Sequence, residues 1–305
     1  MNCYGCYKPN VEGYCPSCRR SLWEGARVSP ILPFDLPEGG DGLQYALLRA
    51  KNELLLADGE GDYRIKRGPG SVNEHLSMQI AGKIFGIRTV PNALMGLGDG
   101  AYAFISRDGQ GQGKPLLPAD SCEETGQAIR RYVAAYPPAL EEYFQVVLFN
   151  YLISNESVGT SHFSLTRTAM GDLSLSPCYG LTNTALDTRP EAGNGAGPML
   201  YKGSEKSAMY LQFGFYGLSD FSVLADRLGL VPARREKFIA RLLSAKDEVL
   251  TMIRHSFLSG EAKKKYAAIY LSRLERMGLS LEPIVRARPR VVVIYPFNRE
   301  ERLPE

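Results

Sequence analysis

Hydrophobic and polar residues follow two different rhythms along this chain. Up to about residue 105 the apolar positions come in short runs closed by turn residues, and from residue 121 they recur at helical spacing. Runs at 44–49, 53–57 and 63–67 predict three strands, the last two joined by the polar turn Asp58-Gly-Glu-Gly-Asp62. Gly68-Pro-Gly70 stops the third strand. Ser71 and Glu74 have the S-x-x-E spacing of a capping box, which predicts a helix from there through about Phe85. Thr89-Val90 and residues 101–105 flank the turn-rich stretch 96–100 and predict two more strands. These pieces make a small antiparallel lobe with one helix.

Ser121 and Glu124 repeat the capping box and open the helical part. Leu140, Phe144, Val147, Leu148, Tyr151 and Leu152 keep the i, i+4, i+7, i+8 spacing of a buried face. That predicts a helix running into a polar loop at 154–162. Residues 163–166 and 173–175 surround Met170-Gly-Asp172 and predict a hairpin. The Gly- and Pro-rich stretch 189–197 predicts a mobile loop. Helices at about 219–228, 232–256 and 260–277 close the domain, with Gly278 as a stop after the last. The apolar run 291–295 either adds a strand or docks on a partner. The expected organisation is therefore a cysteine segment at 1–28, a linker at 29–42, a β-rich lobe at 43–118, a helical lobe at 119–278 and a tail at 279–305.

Composition narrows the function classes. The 305 residues are 44% hydrophobic and 23% charged, enough to bury one large core or two moderate ones. A net charge of +3 is too mild to argue for direct nucleic-acid or anionic-membrane binding. No apolar run is long enough to span a bilayer. The first residues lack the basic-then-apolar pattern of a secretory signal, so the cytoplasm is the expected compartment.

Four of the six cysteines form one pattern. Cys3, Cys6, Cys15 and Cys18 read C-x2-C, an eight-residue spacer, then C-x2-C. Each pair sits on a tight turn that can aim two thiolates at one tetrahedral metal. Disulfides or free thiols are the alternatives, but a reducing compartment disfavours disulfides, and the spacing points to a structural zinc. Cys122 and Cys178 are isolated and read as small core residues. His75 and His255 fall on predicted helices and carry no further signal.

The order of the remaining pieces is distinctive. A strand carries Lys66, a helix opens with Asn73-Glu74, an apolar helix runs into Asn155, and the run Leu175-Ser-Pro-Cys-Tyr-Gly-Leu-Thr-Asn-Thr184 follows. From about residue 43 to 278 this resembles the HipA family, serine/threonine kinases of bacterial toxin–antitoxin modules. The resemblance implies an α+β, two-lobed, protein-kinase-like fold: a small antiparallel β lobe plus a larger helical lobe, here with an N-terminal four-cysteine zinc knuckle. The cysteine-rich start is similar to that of short HipA-like proteins. The long N-terminal subdomain of full-length HipA has no counterpart, which implies a small HipA N-subdomain-like protein as a partner. A helix-turn-helix antitoxin is the other implied partner, with nucleic acid engaged only through it.

Carried over position by position, the resemblance makes Lys66 the lysine on the nucleotide phosphates and Glu74 its acidic partner. A capping box alone also explains Glu74, and a strand lysine is often simply solvated. Asn155 matches the start of the family's catalytic loop, roughly N-x-D-x-H-x-x-N. The rest departs from it: Ser157 stands at the base aspartate, Gly159 at the histidine and His162 at the magnesium-binding asparagine. In the later P-x-Y-D-L motif, Pro177-Cys-Tyr-Gly-Leu181 puts Gly180 at the magnesium-binding aspartate. Serine has no basic lone pair at neutral pH, glycine offers no carboxylate, and imidazole suits transition metals better than magnesium. Together these losses imply a pseudokinase that acts by binding, with ATP and magnesium weakened as cofactors.

Two other readings stand beside this one. Glu156, next to Ser157, is the candidate replacement base of an active, divergent kinase; Asp172 and Asp187 are the other nearby carboxylates, and turn chemistry explains the first. Alternatively the chain is an adaptor without nucleotide, docking a partner through the knuckle and through Arg286, Arg288 and Arg290, which share one face of an extended strand.

Overall fold

A computed structural model describes residues 2–10, 12–36, 44–57, 60–107, 114–116, 119–156, 163–186, 199–283 and 291–294. The cysteine segment carries a short helix, α1 (Pro16–Trp23), started by proline at its first position. Three strands follow, β1 (Gln44–Ala50), β2 (Glu53–Ala57) and β3 (Tyr63–Arg67), then α2 (Ser71–Gln79). β4 (Asn92–Gly96) and β5 (Tyr102–Arg107) complete an antiparallel sheet in the order β2-β1-β3-β5-β4. The three predicted early strands form where the alternation put them. The fourth lies a few residues after Thr89-Val90, which instead bridges to Cys178.

Side-chain alternation gives this sheet two different faces. Tyr63, Ile65, Ala93, Met95, Ala103 and Ile105 are buried on one face, against Tyr14, Leu22 and Trp23 of the cysteine segment. Trp23 lies 4.8 Å from the Tyr63 ring and 5.6 Å from that of Tyr14. Leu94 and Phe104 point the other way, into the core shared with α2. Lys66 pairs in register with Phe104 and so belongs to that second face. The segment expected to be a linker is packed as well. Leu32 and Leu36 are buried, and Pro30 and Leu32 exchange backbone hydrogen bonds with Gly96.

The first capping box does not form. Gly70 is the N-cap of α2 without a side-chain cap; Ser71 Oγ donates to the Lys66 carbonyl at 2.9 Å, and the Glu74 carboxylate is engaged elsewhere. Nor does the helix continue as an α-helix to Phe85, because residues Ile80–Ile84 widen into a π-helical turn.

After β6 (Lys114–Pro115), the helical part begins with α3 (Cys122–Tyr132). Its serine cap does form, with Ser121 Oγ accepting from the Glu124 backbone N–H at 3.2 Å, but Glu124 Oε2 accepts from the Asp120 N–H at 3.1 Å, one residue before the N-cap, so the reciprocal half of the box is displaced. α4 (Tyr136–Leu152) is the central helix, buried on most sides, with Phe144, Leu148, Phe149 and Leu152 fully enclosed. β7 (Ser164–Arg167) and β8 (Leu173–Leu175) form the expected hairpin, and β7 also pairs with β6.

Then come α5 (Ala208–Phe213), α6 (Leu218–Arg227), α7 (Pro232–Ser244), α8 (Lys246–His255) and α9 (Gly260–Gly278). The helix expected over 232–256 is broken at Ala245, whose φ and ψ of −85° and 8° leave the helical region. The break lets Ile239 and Leu242 on one side and Val249 and Ile253 on the other each enter the core. β9 (Ser280–Pro283) and β10 (Val291–Ile294) pair antiparallel, so the apolar run near the end does add a strand. None of the described helices is long and apolar enough to cross a membrane.

Candidate functional site

Lys66 on β3 and Glu74 on α2 form an ion pair, Nζ to Oε2 2.9 Å. The Glu74 side chain is 10% exposed and that of Lys66 33%. With no capping box to hold it, the glutamate is buried for the lysine's sake. A charge this enclosed must be compensated, and Lys66 does so.

One residue before Glu74, Asn73 reaches across to the segment after β8. Its Oδ1 accepts from the Asn183 backbone N–H at 3.1 Å and its Nδ2 donates to the Asn183 carbonyl at 2.9 Å. The carboxamide thus pairs with a peptide group much as a neighbouring strand would. This clamp places Gly180, three residues earlier, on the segment that α2 holds. The same segment grips the end of α4: Thr184 Oγ1 donates to the Ser154 carbonyl at 2.8 Å and accepts from the Glu156 N–H at 3.0 Å. The two motif regions therefore lie side by side, tied to the Lys66–Glu74 pair through α2.

Ser154 adopts a left-handed φ of 55° as the chain leaves α4. Asn155 is 3% exposed, and its Nδ2 donates back to Asn150 Oδ1 at 3.1 Å. Glu156 does not face solvent freely. Arg273 of α9 donates Nη2 to Glu156 Oε1 at 2.7 Å and Nε to Ser154 Oγ at 2.9 Å, while its guanidinium lies over the Tyr151 ring. The Arg273 side chain is only 9% exposed. The Glu156 carboxylate is thus turned towards α9 and occupied there. Gly180 has φ +66°, and a Cβ built there meets nothing within 4 Å. Ser157, Gly159, His162, Asp187, the loop at 189–197 and the arginines at 286, 288 and 290 lie outside the described residues.

Arg273 carried no motif, and Asn73 and Asn183 lay within the quoted runs without a role of their own. Arg273 left one trace in the sequence, as an arginine on the buried face of α9 between Tyr266, Tyr270 and Met277.

The four cysteines converge within the N-terminal segment. Their sulfurs all lie within 4.8 Å of one another, with Cys6 and Cys15 3.7 Å apart. Four thiolates around one zinc at ~2.3 Å stand about 3.8 Å from each other, so the donor set fits a tetrahedral zinc. Backbone N–H groups of Gly5 and Cys15 point at Cys3 Sγ from 3.3 and 3.2 Å, which favours a thiolate there. Only glycine fits at position 5, since a Cβ would sit 2.8 Å from Cys18 Sγ. Among the described residues no second group of this kind occurs. Cys122 and Cys178 are neutral thiols, each pushed up to about 12 by burial.

No family model matches the chain, and no curated protein does. Solved structures match the fold. A HipA from Shewanella oneidensis MR-1, determined with HipB and its operator DNA, superposes with a TM-score of 0.57 at 16% identity, over 88% of this chain and 71% of its own. The Helicobacter pylori proinflammatory kinase CtkA gives 0.51 at 12% identity, over 76% of this chain and 90% of its own. The chain has a HipA-like kinase fold with a four-cysteine cluster at its start.

Proposed function

We propose that this chain is a HipA-like pseudokinase: it keeps the nucleotide-facing half of the kinase site, lacks the groups for phosphoryl transfer, and works by binding. The observation that supports the reading is the half-buried Lys66–Glu74 ion pair, on the same clamped frame as Gly180. Kinase-fold catalysis is largely charge neutralisation and positioning, so a lysine without metal carboxylates supports binding of phosphates and little turnover. The Arg273–Glu156 pair speaks against an active kinase that uses Glu156 as its base.

Zinc is the metal of the four-cysteine site in this reading, and its role is structural. Protein partners of the toxin–antitoxin type are a helix-turn-helix antitoxin and a small HipA N-subdomain-like protein, with DNA contacted only through the former.

The reading predicts that ATP raises the melting temperature equally with and without Mg²⁺, and that Lys66→Ala removes the shift. A shift seen only with Mg²⁺ would restore a functional metal site. No shift at all would leave the adaptor reading in its place.

A further inference from the structure

α2 presents three faces, and each is held by a different part of the molecule. Asn73 and Ser77, four residues apart, share the face towards the helical lobe. Asn73 clamps the Asn183 peptide, and Ser77 Oγ lies 2.9 Å from Tyr266 Oη of α9. Glu74 meets Lys66 of β3. His75 and Gln79, again four apart, face the cysteine segment and β4: Gln79 Nε2 donates to Asn92 Oδ1 at 2.8 Å, and His75 pairs with Tyr7. Of these ties, the one to Tyr7 hangs on the metal knuckle.

Tyr7 directly follows Cys6, and its φ of +62° lies in the left-handed region, where a bulky residue is strained. Such strain persists only where the surroundings over-determine it. Here the Tyr7 N–H donates to the Cys3 carbonyl at 2.9 Å, closing the turn that brings Cys3 and Cys6 together. The side chain leaves the knuckle for the core, where Tyr7 and His75 are both buried. Tyr7 Oη and His75 Nδ1 are 2.6 Å apart, a hydrogen bond whichever atom carries the proton, and the rings meet edge-on at 4.9 Å. The Gly5 backbone, inside the same cysteine pair, also reaches the imidazole. The first cysteine turn thus holds one residue of α2, and that residue is next to Glu74.

We infer that the cysteine site and the phosphate site are coupled through this pair: with the metal in place Tyr7 and His75 hold α2 docked and Glu74 on Lys66, and without it α2 loosens. Both are positioning residues, since neither touches a phosphate. The coupling rests on the reading that phosphates bind at Lys66. A buried imidazole that loses Tyr7 Oη loses a hydrogen bond that water cannot replace, so undocking becomes about tenfold easier. Ligands that favour the same docked state also favour one another. The knuckle metal therefore strengthens phosphate binding, and bound phosphate strengthens the hold on the metal by the same factor.

The test follows amide hydrogen exchange in the zinc-loaded full chain, well below its melting temperature. Tyr7→Phe keeps the ring and all four thiols. Its exchange over α2 should be about tenfold faster than in the wild type, with α4 unchanged and the zinc content the same. His75→Leu should do likewise, and Tyr7→Phe/His75→Leu should exchange no faster than either single variant, because both changes break one bond. Chelation should speed α2 by at least as much as Tyr7→Phe does. ATP at ten times its Kd should slow α2 exchange by about tenfold in the wild type, because it binds the docked state.

Unchanged α2 exchange in Tyr7→Phe would overturn the link between the knuckle and α2. So would α2 and α4 rising together, which is what lost global stability alone produces. ATP that raises the melting temperature yet leaves α2 exchange unchanged would overturn the coupling to phosphates. No ATP binding at all would sink the pseudokinase reading instead, and exchange in Tyr7→Phe would still decide whether the knuckle holds α2.

Discussion

Removing the zinc proposed for the four-cysteine site should lower the melting temperature of the whole chain by at least about 10 °C, and Cys3→Ser should do the same. The size of the effect follows from where the knuckle sits. Tyr14 and Trp23 are buried in one core, and Tyr7 enters the other. Tyr4 accepts a backbone hydrogen bond from Leu94 of β4, Tyr14 Oη donates to the Leu94 carbonyl at 2.6 Å, and Asn2 reaches the His255 carbonyl at the end of α8 at 2.8 Å. Tyr4 and Tyr7 also stack near Phe257, at 5.0 and 5.7 Å.

A knuckle bonded in this way joins the small lobe to the helical lobe, so its collapse exposes both. Four thiols packed this closely cannot all ionise without a cation. Hydrogen bonds from Cys18 and then Cys6 hold Cys3 well below the usual thiol range, and the same contact with Cys3 pushes Cys18 well above it.

Acid acts in the same direction. His75, fully buried beside Tyr7, is kept neutral by burial, and its pKa falls to about 3 from 6.5. Its contribution is therefore complete above the unfolded value and is lost as pH falls towards 3. Thermal melts after chelation, with metal content measured on the same sample, check this prediction. An unchanged melting temperature in a metal-free sample would show that the four thiols need no ion.

Gly180→Asp is the second large effect. The variant should convert metal-independent nucleotide binding into binding that Mg²⁺ strengthens by about tenfold. Aspartate is among the residues that tolerate a left-handed backbone, at a cost of about 1 kcal/mol, and its Cβ would meet no atom within 4 Å. The protein should thus remain folded with a carboxylate restored on the segment that Asn73 clamps. Titration of ATP with and without Mg²⁺ gives the readout. Equal affinities in both conditions would mean that the Gly180 segment does not face the phosphates.

Much of this architecture was legible in the residues because local and global signals agreed. The three early strands, the capped helix at Ser121 and the hairpin around Met170 each combine the right period with the right punctuation. Legibility failed where tertiary contacts overruled local chemistry. Ser71 and Glu74 have the spacing of a capping box, yet Lys66 takes both the serine hydroxyl, through its carbonyl, and the glutamate carboxylate. Ala245 breaks a helix without proline or glycine, because two buried faces have to turn relative to each other. The cysteine segment looked like a separate knob on a linker, since nothing local says that Trp23 and Leu32 belong under a sheet more than ten residues away.

The candidate site follows the same division. The four cysteines were readable from their spacing, whereas Lys66 and Glu74 stood out only through the family resemblance, and the structure shows that the two pair. Glu156 was readable only as a carboxylate, and its partner Arg273, 117 residues on, was not.

In the reading proposed above, the kinase frame persists without phosphoryl transfer. Incubation of the zinc-loaded chain with γ-labelled ATP and Mg²⁺ or Mn²⁺, alone and with a generic protein acceptor, tests it most directly. No labelled protein and no ATP hydrolysis above the buffer are expected. Labelling that disappears in Lys66→Ala would contradict it and make this chain an active kinase.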